Sequence, residues 1–150
     1  MLHQIDEIQG IGLHLDLVLR KIQEAYLRKF EDLDIDMTIE QWVILHQVYK
    51  LGESASQRDI VQSNFRNRAT ISRVIAGLER KDWLRKTRFK GDLKRFKLEL
   101  TPKGKEIIHI VLPEAQKLRQ KAIQNLNSSD FETFLGVLDQ IGSNYSEGSN

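Results

Sequence analysis

The side chains best equipped for chemistry in this sequence are cations, and they fall into two clusters. Arg66, Arg68 and Arg73 stand among Asn67, Ala69, Thr70 and Ser72 within eight consecutive residues. Arg85, Lys86, Arg88, Lys90, Lys94, Arg95 and Lys97 crowd a second stretch around Gly91. Their chemistry is anion recognition. A guanidinium donates as a rigid fork to phosphate or to guanine, and an ammonium acts as a point charge. Thr and Ser can bond bases or phosphates, and Ala leaves a helix backbone free to approach closely.

The balance of charge agrees. Residues 57–105 hold fifteen of the 23 Lys and Arg but five of the 21 acids, a net of +10. The remainder carries −8, so the total of +2 conceals a basic middle between acidic ends. Such a field attracts a polyanion, and nucleic acid is the usual one. No catalytic arrangement accompanies it: there is no Gly-x-Ser-x-Gly elbow, phosphate loop or dinucleotide fingerprint, and no cofactor is expected. The absence of Cys excludes disulfides, thiolate zinc sites and a cysteine nucleophile. His3, His14, His46 and His109 lack metal-ligand spacing, and no metal site is assigned. The last three lie in or beside apolar stripes, as structural histidines do. No run approaches the ~20 apolar residues of a membrane span. The first residues have no basic lead or small-residue cleavage site, so a cytoplasmic protein is expected.

These clusters need elements to position them. Apolar residues recur at helical spacing from Ile5 to Phe30. That helix is longer than a small domain needs, which suggests that one end packs outside its own globule. An acidic connector, 31–36, follows. Thr38 with Gln41 forms a capping box for a second helix that ends at Gly52. Ser56 with Asp59 opens a short third helix ending near Ser63. Asn67 caps a fourth, to about Lys81, whose stripe of Ile71, Val74, Ile75 and Leu78 faces a core. Its opposite face presents Ala69, Arg73, Ala76 and Arg80, with Gly77 beside them and Thr70 and Ser72 flanking. The period then changes to two. Residues 83–89 and 96–100 read as strands joined by Lys90-Gly91-Asp92. Thr101-Pro102 opens another helix, which Pro113 should kink. Ser129 with Glu132 caps a last one. Two short helices, a turn and a basic hairpin form a winged helix-turn-helix, in which the second helix enters the DNA major groove.

At these residues the sequence resembles the MarR (multiple-antibiotic-resistance regulator) family of bacterial transcription factors. The likeness runs from 38–42 (TIEQW) through 57–60 (QRDI), 68–75 (RATISRVI) and 78–81 (LERK) to the wing and 100–104 (LTPKG). It spans about residues 5–142. Three positions depart from the family pattern. The wing carries Asp92-Leu93-Lys94 in place of Asp-x-Arg, leaving Arg88 or Arg95 to substitute. The turn before Arg68 is Asn64-Phe65-Arg66-Asn67 in place of Leu-Gly-x-Ser. Asp82 replaces the Gly that commonly follows the fourth helix.

The resemblance implies a homodimer built from the first and last helices, on a pseudo-palindromic operator with half-sites about one helical turn apart. It also implies an effector pocket near Tyr26, Phe30, Trp42 and Tyr49. Aromatic lining there would suit a small aromatic or phenolic effector, although core packing accounts for the same residues. The expected fold is mainly α with a small β-hairpin wing, a winged helix-turn-helix lobe plus a helical dimerisation region. Its parts are a dimerisation helix at 1–36, the DNA-binding lobe at 37–101, dimerisation helices at 102–142 and a disordered tail at 143–150. The expected function is a sequence-specific regulator binding double-stranded DNA, acting as an effector-responsive repressor. The DNA-binding residues would be Arg66, Asn67, Arg68, Ala69, Thr70, Ser72, Arg73, Arg88, Lys90, Lys94 and Arg95. The alternative is a ligand- or metal-sensing dimer whose winged lobe binds a protein partner. Charge segregation argues against it, because such a partner would need a matching acidic surface.

Overall fold

The computed structural model describes residues 10–63 and 67–146. Arg66, Asn64 and Phe65 of the turn, His3 and the first turn expected of the leading helix lie outside them. The elements are α1 (Gly10–Asp32), α2 (Ile39–Leu51), a 3-10 turn (Gly52–Ser54), α3 (Gln57–Ser63), α4 (Arg68–Arg80), β1 (Leu84–Phe89), β2 (Asp92–Leu100), α5 (Pro102–Ala122) and α6 (Ser128–Tyr145). The mainly helical fold with a two-stranded antiparallel hairpin is the one expected from the sequence.

Capping decides most helix starts. The Thr38 hydroxyl accepts from Gln41 N–H at 3.1 Å, and the Gln41 side chain accepts from Thr38 N–H at 3.2 Å. Ser56 Oγ accepts from Asp59 N–H at 3.1 Å. The last helix starts earlier than Ser129 with Glu132 suggested, because Asn127 accepts from Asp130 N–H at 2.7 Å. It also ends later, with Ser143–Tyr145 in the last turn rather than in a tail. Nothing there breaks a helix, and Gln140 bonds Asn144 across the turn at 2.7 Å. α5 is continuous through Pro113.

The helix ends are less conventional. α1 and α4 both stop in the Schellman pattern with Asp, not Gly, in the left-handed position. Asp34 has φ 57° and Asp82 φ 59°. Behind them, Ile35 N–H bonds Phe30 carbonyl at 2.9 Å and Trp83 N–H bonds Leu78 carbonyl at 3.0 Å. Short polar Asp tolerates this conformation better than most residues. The acidic run at 31–36 is therefore partly helix and partly a cap.

The chain divides into two compact units, one through Ala115 and one from Gln116, so the division falls inside α5 and not at residue 101. The first unit owns the core. Phe30 of α1 joins Trp42, Leu45 and Val48 of α2, Ile60 of α3, Ile71, Ile75 and Leu78 of α4, and Leu84 and Leu98 of the hairpin. Ile108, Val111 and Ala115 of α5 belong to the same cluster, which is why half of that helix goes with the lobe. In the second unit α6 buries no residue, and Phe134, Leu135 and Val137 are half exposed. α1 buries Phe30 alone and leaves Ile11, Val18, Leu19 and Ile22 exposed.

One junction fixes the hairpin on the helices. Thr101 is buried, and its N–H bonds the Trp83 carbonyl at 3.1 Å. Its hydroxyl donates to the Asp82 carbonyl and accepts from Gly104 N–H at 3.0 Å. Gly104 lies so close to Trp83 that a Cβ would sit 2.0 Å from that carbonyl oxygen. Gly104→Ala should therefore destabilise the protein by about 3 kcal/mol, since backbone on both sides must shift. Asp82→Gly should stabilise it by about 1 kcal/mol through removal of the left-handed penalty, while the carbonyl bond to Thr101 is kept. Urea denaturation of the two variants checks both signs.

Candidate nucleic-acid interface

α4 is held by its apolar side and presents the other. Ile71, Ile75 and Leu78 are buried, Val74 is partly so, and Arg68, Ala69, Arg73 and Arg80 are exposed. Asn67 starts the helix with its side chain accepting from Thr70 N–H at 2.8 Å. One expectation for this helix changes. Gly77 is buried, and a Cβ there would meet the Gln41 amide at 3.2 Å, so it serves packing on α2. Ser72 is half-buried and accepts from Gln57 Nε2 at 3.4 Å. It lies on the flank of the helix that faces α3. Lys81 also turns away: it bonds Gln41 Oε1 at 3.0 Å and sits 4.8 Å from the Trp83 ring centre.

The hairpin pairs Leu84 with Leu100 through Arg88 with Phe96 in regular register. Then Phe89 pairs with Asp92, so Leu93, Lys94 and Arg95 stand opposite no β1 residue. Gly91, at φ 80°, makes the tight turn after Lys90. Rings organise the cations here. Phe96 lies 4.6 Å from Lys86 Nζ and 4.4 Å from the Arg88 guanidinium, and Phe89 lies 4.5 Å from Arg95. Arg88 also donates to the Leu93 carbonyl.

Charge divides along the hairpin. At its base Glu99 takes Arg85 at 3.2 Å and Lys97 at 3.4 Å. The Arg85 hydrogen bond, with help from Lys97, lowers the Glu99 carboxyl from its ordinary value against the opposing effect of burial. Toward the tip, none of Lys86, Arg88, Lys90, Lys94 and Arg95 has an acidic partner among the described residues. The same holds for Arg58, Arg68 and Arg73.

Five of these cations share a groove. A cleft of about 600 Å³ runs between α3, the start of α4 and the wing, lined by Arg58, Arg68, Lys86, Lys94, Arg95, Gln57 and Ser72 among others. It brings Arg68, Ser72, Lys94 and Arg95 together. Asn67, Ala69, Thr70 and Arg73 belong to the helix beside it, and Arg88 and Lys90 to the wing. Arg58 and Gln57 were missed in the sequence, and Lys86 was read as a wing cation but not placed among the DNA-binding residues. Their signals were present: a helix capped at Ser56 puts Arg58 and Gln62 on one face, and Lys86 shares a strand face with Arg88. Gln57 Oε1 is buried without a partner, which leaves one acceptor in the wall of the groove unused. Such an atom costs about 1–3 kcal/mol of lost hydration.

A second cavity, of about 380 Å³, opens between the end of α2, the hairpin base and α5. Tyr49, Val48 and Leu100 give it an apolar side, and Arg85, Lys97 and Lys105 face it together with Glu53, Glu99 and His109. His109 and His14 are exposed, not structural as their neighbours suggested. Both stand on the solvent side of their helices. His46 is stacked between Trp42, at 5.1 Å, and Tyr49, at 6.5 Å.

Residues 35–95 match the model of the MarR family. Among solved structures, the chain is similar to S. aureus MepR in complex with DNA, at 21% identity and TM-score 0.81, over 89% of this chain and 97% of that one. It is similar to Bordetella bronchiseptica BpsR, whose DNA binding is regulated by 6-hydroxynicotinic acid, at 20% identity and TM-score 0.75, over 94% and 96%. It is also similar to a MarR family transcriptional regulator from Listeria monocytogenes complexed with 26mer DNA, at 19% identity and TM-score 0.76, over 91% and 89%.

The cap at Asn67 yields a measurement. Asn67→Ala should lower unfolding free energy by about 1 kcal/mol, and Asn67→Asp should keep it, because Asp caps equally well. Equal loss in both variants would mean that the side chain acts through something other than its carbonyl oxygen.

Proposed function

Residues 35–95 are a MarR-family winged helix-turn-helix lobe, and from that premise we propose that the chain is a transcriptional regulator that binds double-stranded DNA sequence-specifically. The observation that carries this is the groove of unpaired cations alongside an exposed helix face. α4 enters the major groove, where Arg73 donates to guanine and Ala69 allows the backbone close. Thr70 and Ser72 supply weaker polar contacts beside it. The free amides after Asn67 receive a phosphate. Arg58, Arg68, Lys86, Lys94 and Arg95 hold the backbone on either side. Arg88 and Lys90 approach the flanking DNA at the wing tip.

The active species is a homodimer. The apolar residues left exposed on α1 and on α6 support it, since faces of that kind are normally covered. Two-fold symmetry then demands a pseudo-palindromic operator with half-sites ~34–36 Å apart. The protein acts as a repressor by occupying that site, in the cytoplasm. A small aromatic or phenolic effector releases it from the cavity beside Tyr49. The pairing there of an aromatic ring with Arg85 and Lys105 supports this, as does the aromatic acid that regulates BpsR. Arg85 is also held by Glu99 at the wing base, so a ligand anion competing for it favours another wing position. The loss of DNA affinity equals the ligand's preference for that state.

A mobility-shift titration tests the central claim. Log affinity should fall by ~0.9 per log unit of salt for each phosphate contacted. Arg73→Ala should cost ~1–3 kcal/mol on the preferred site and little on random duplex. Arg95→Ala should weaken both alike and flatten the salt slope by about one contact. Absence of any shift at low salt, or an Arg73→Ala variant with unchanged preference, overturns the reading.

A further inference from the structure

We propose that Leu93 is a specificity-determining residue: it enters the minor groove beside the half-site and selects A·T over G·C pairs there. This rests on the DNA-binding reading and adds a determinant to it. Leu93 is 79% exposed, and no other aliphatic side chain described as exposed exceeds 53%. A solitary exposed leucine is ordinary. This one differs in how it is held and in what surrounds it.

Leu93 begins the three-residue stretch of β2 that has no partner on β1. That stretch is pinned at both ends. Asp92 accepts from Lys94 N–H at 3.0 Å, Arg88 donates to the Leu93 carbonyl, and Arg95 is laid on the Phe89 ring. The backbone at Leu93 is thus fixed by its neighbours while its side chain meets solvent. Around it stand Arg88, Lys90, Lys94 and Arg95, with Asp92 the one acid and its carboxylate engaged within the turn. An apolar side chain ringed by cations at the end of a hairpin fits a polyanion whose recess has apolar walls. The DNA minor groove, edged by phosphates, is such a recess, and proteins commonly insert leucine there.

The same chemistry gives the base preference. A·T pairs present two acceptors on the groove floor and no protruding donor. A G·C pair adds the guanine amino group, which projects into the space a leucine would fill and would lose its water without gaining a partner. Cations also favour the narrow groove of A·T tracts, so the leucine contribution must be separated from theirs.

The test uses duplexes recovered by selection from a random pool, with one core and three flanks: A·T, G·C, and inosine·C, which lacks the guanine amino group. The parent should bind the G·C flank about tenfold more weakly than the A·T flank. The inosine·C flank should bind like A·T. Leu93→Ala keeps every cation and should lose most of the discrimination, to about threefold or less. An inosine·C flank that binds like G·C overturns the proposal. So does a parent indifferent to the flank, or a Leu93→Ala variant with the parent's full ratio. If the parent binds the core with salt dependence but ignores the flank, only the role of Leu93 falls. If no duplex is selected, the DNA-binding reading falls with it.

Discussion

The contact between Gly104 and the Trp83 carbonyl governs how the rest of the structure is arranged. It joins the end of α4, the base of the hairpin and the start of α5 at a separation that only a residue without a Cβ permits. Thr101 closes the junction by bonding Asp82, Trp83 and Gly104 together. α4 and the hairpin therefore leave one knot in fixed directions. The groove between them is a consequence of that angle, not of any attraction between its cationic walls. Those walls repel each other, and the buried leucines and isoleucines behind them supply the compensation.

The distribution of acids is equally consequential. Glu99 is shared by Arg85 and Lys97 at the hairpin base and offsets one of their two charges, where repulsion would act on the folded lobe. Lys86, Arg88 and Arg95, further out, have rings in place of carboxylates. A ring holds a cation by its quadrupole and leaves the net charge intact. The wing is thus ordered without being discharged, which an ion-paired hairpin could not achieve.

Much of this was legible in the sequence, and for identifiable reasons. The caps at Thr38 and Asn67 rest on local hydrogen bonds that three or four residues suffice to encode. The stripe on α4 and the alternation in the hairpin encode burial directly. Hence the winged lobe, and the family whose model covers 35–95, could be read from residues alone. What escaped depends on distant neighbours. Gly77 looked like part of an open face until Gln41 of α2 closed over it. Ser72 was placed on a flank, but nothing local showed that Gln57 of α3 would meet it there. His109 lies next to an apolar stripe, yet a shift of one position around the helix takes it to the surface. Asp82 looked ill suited to its place, because propensity does not reveal that Thr101 and Glu79 hold its backbone there.

The aromatic rings beneath the wing cations have a consequence for timing. A long cation that searches many rotamers in the free protein must surrender them on association, at roughly 0.5–1.5 kcal/mol per side chain. Lys86, Arg88 and Arg95 have given up part of that freedom during folding, because each already rests on phenylalanine. Ordering them is thus charged to the stability of the lobe and not to each encounter with a ligand. A surface prepared in this way holds on longer once engaged, since differences of this kind are expressed mainly in the rate of departure.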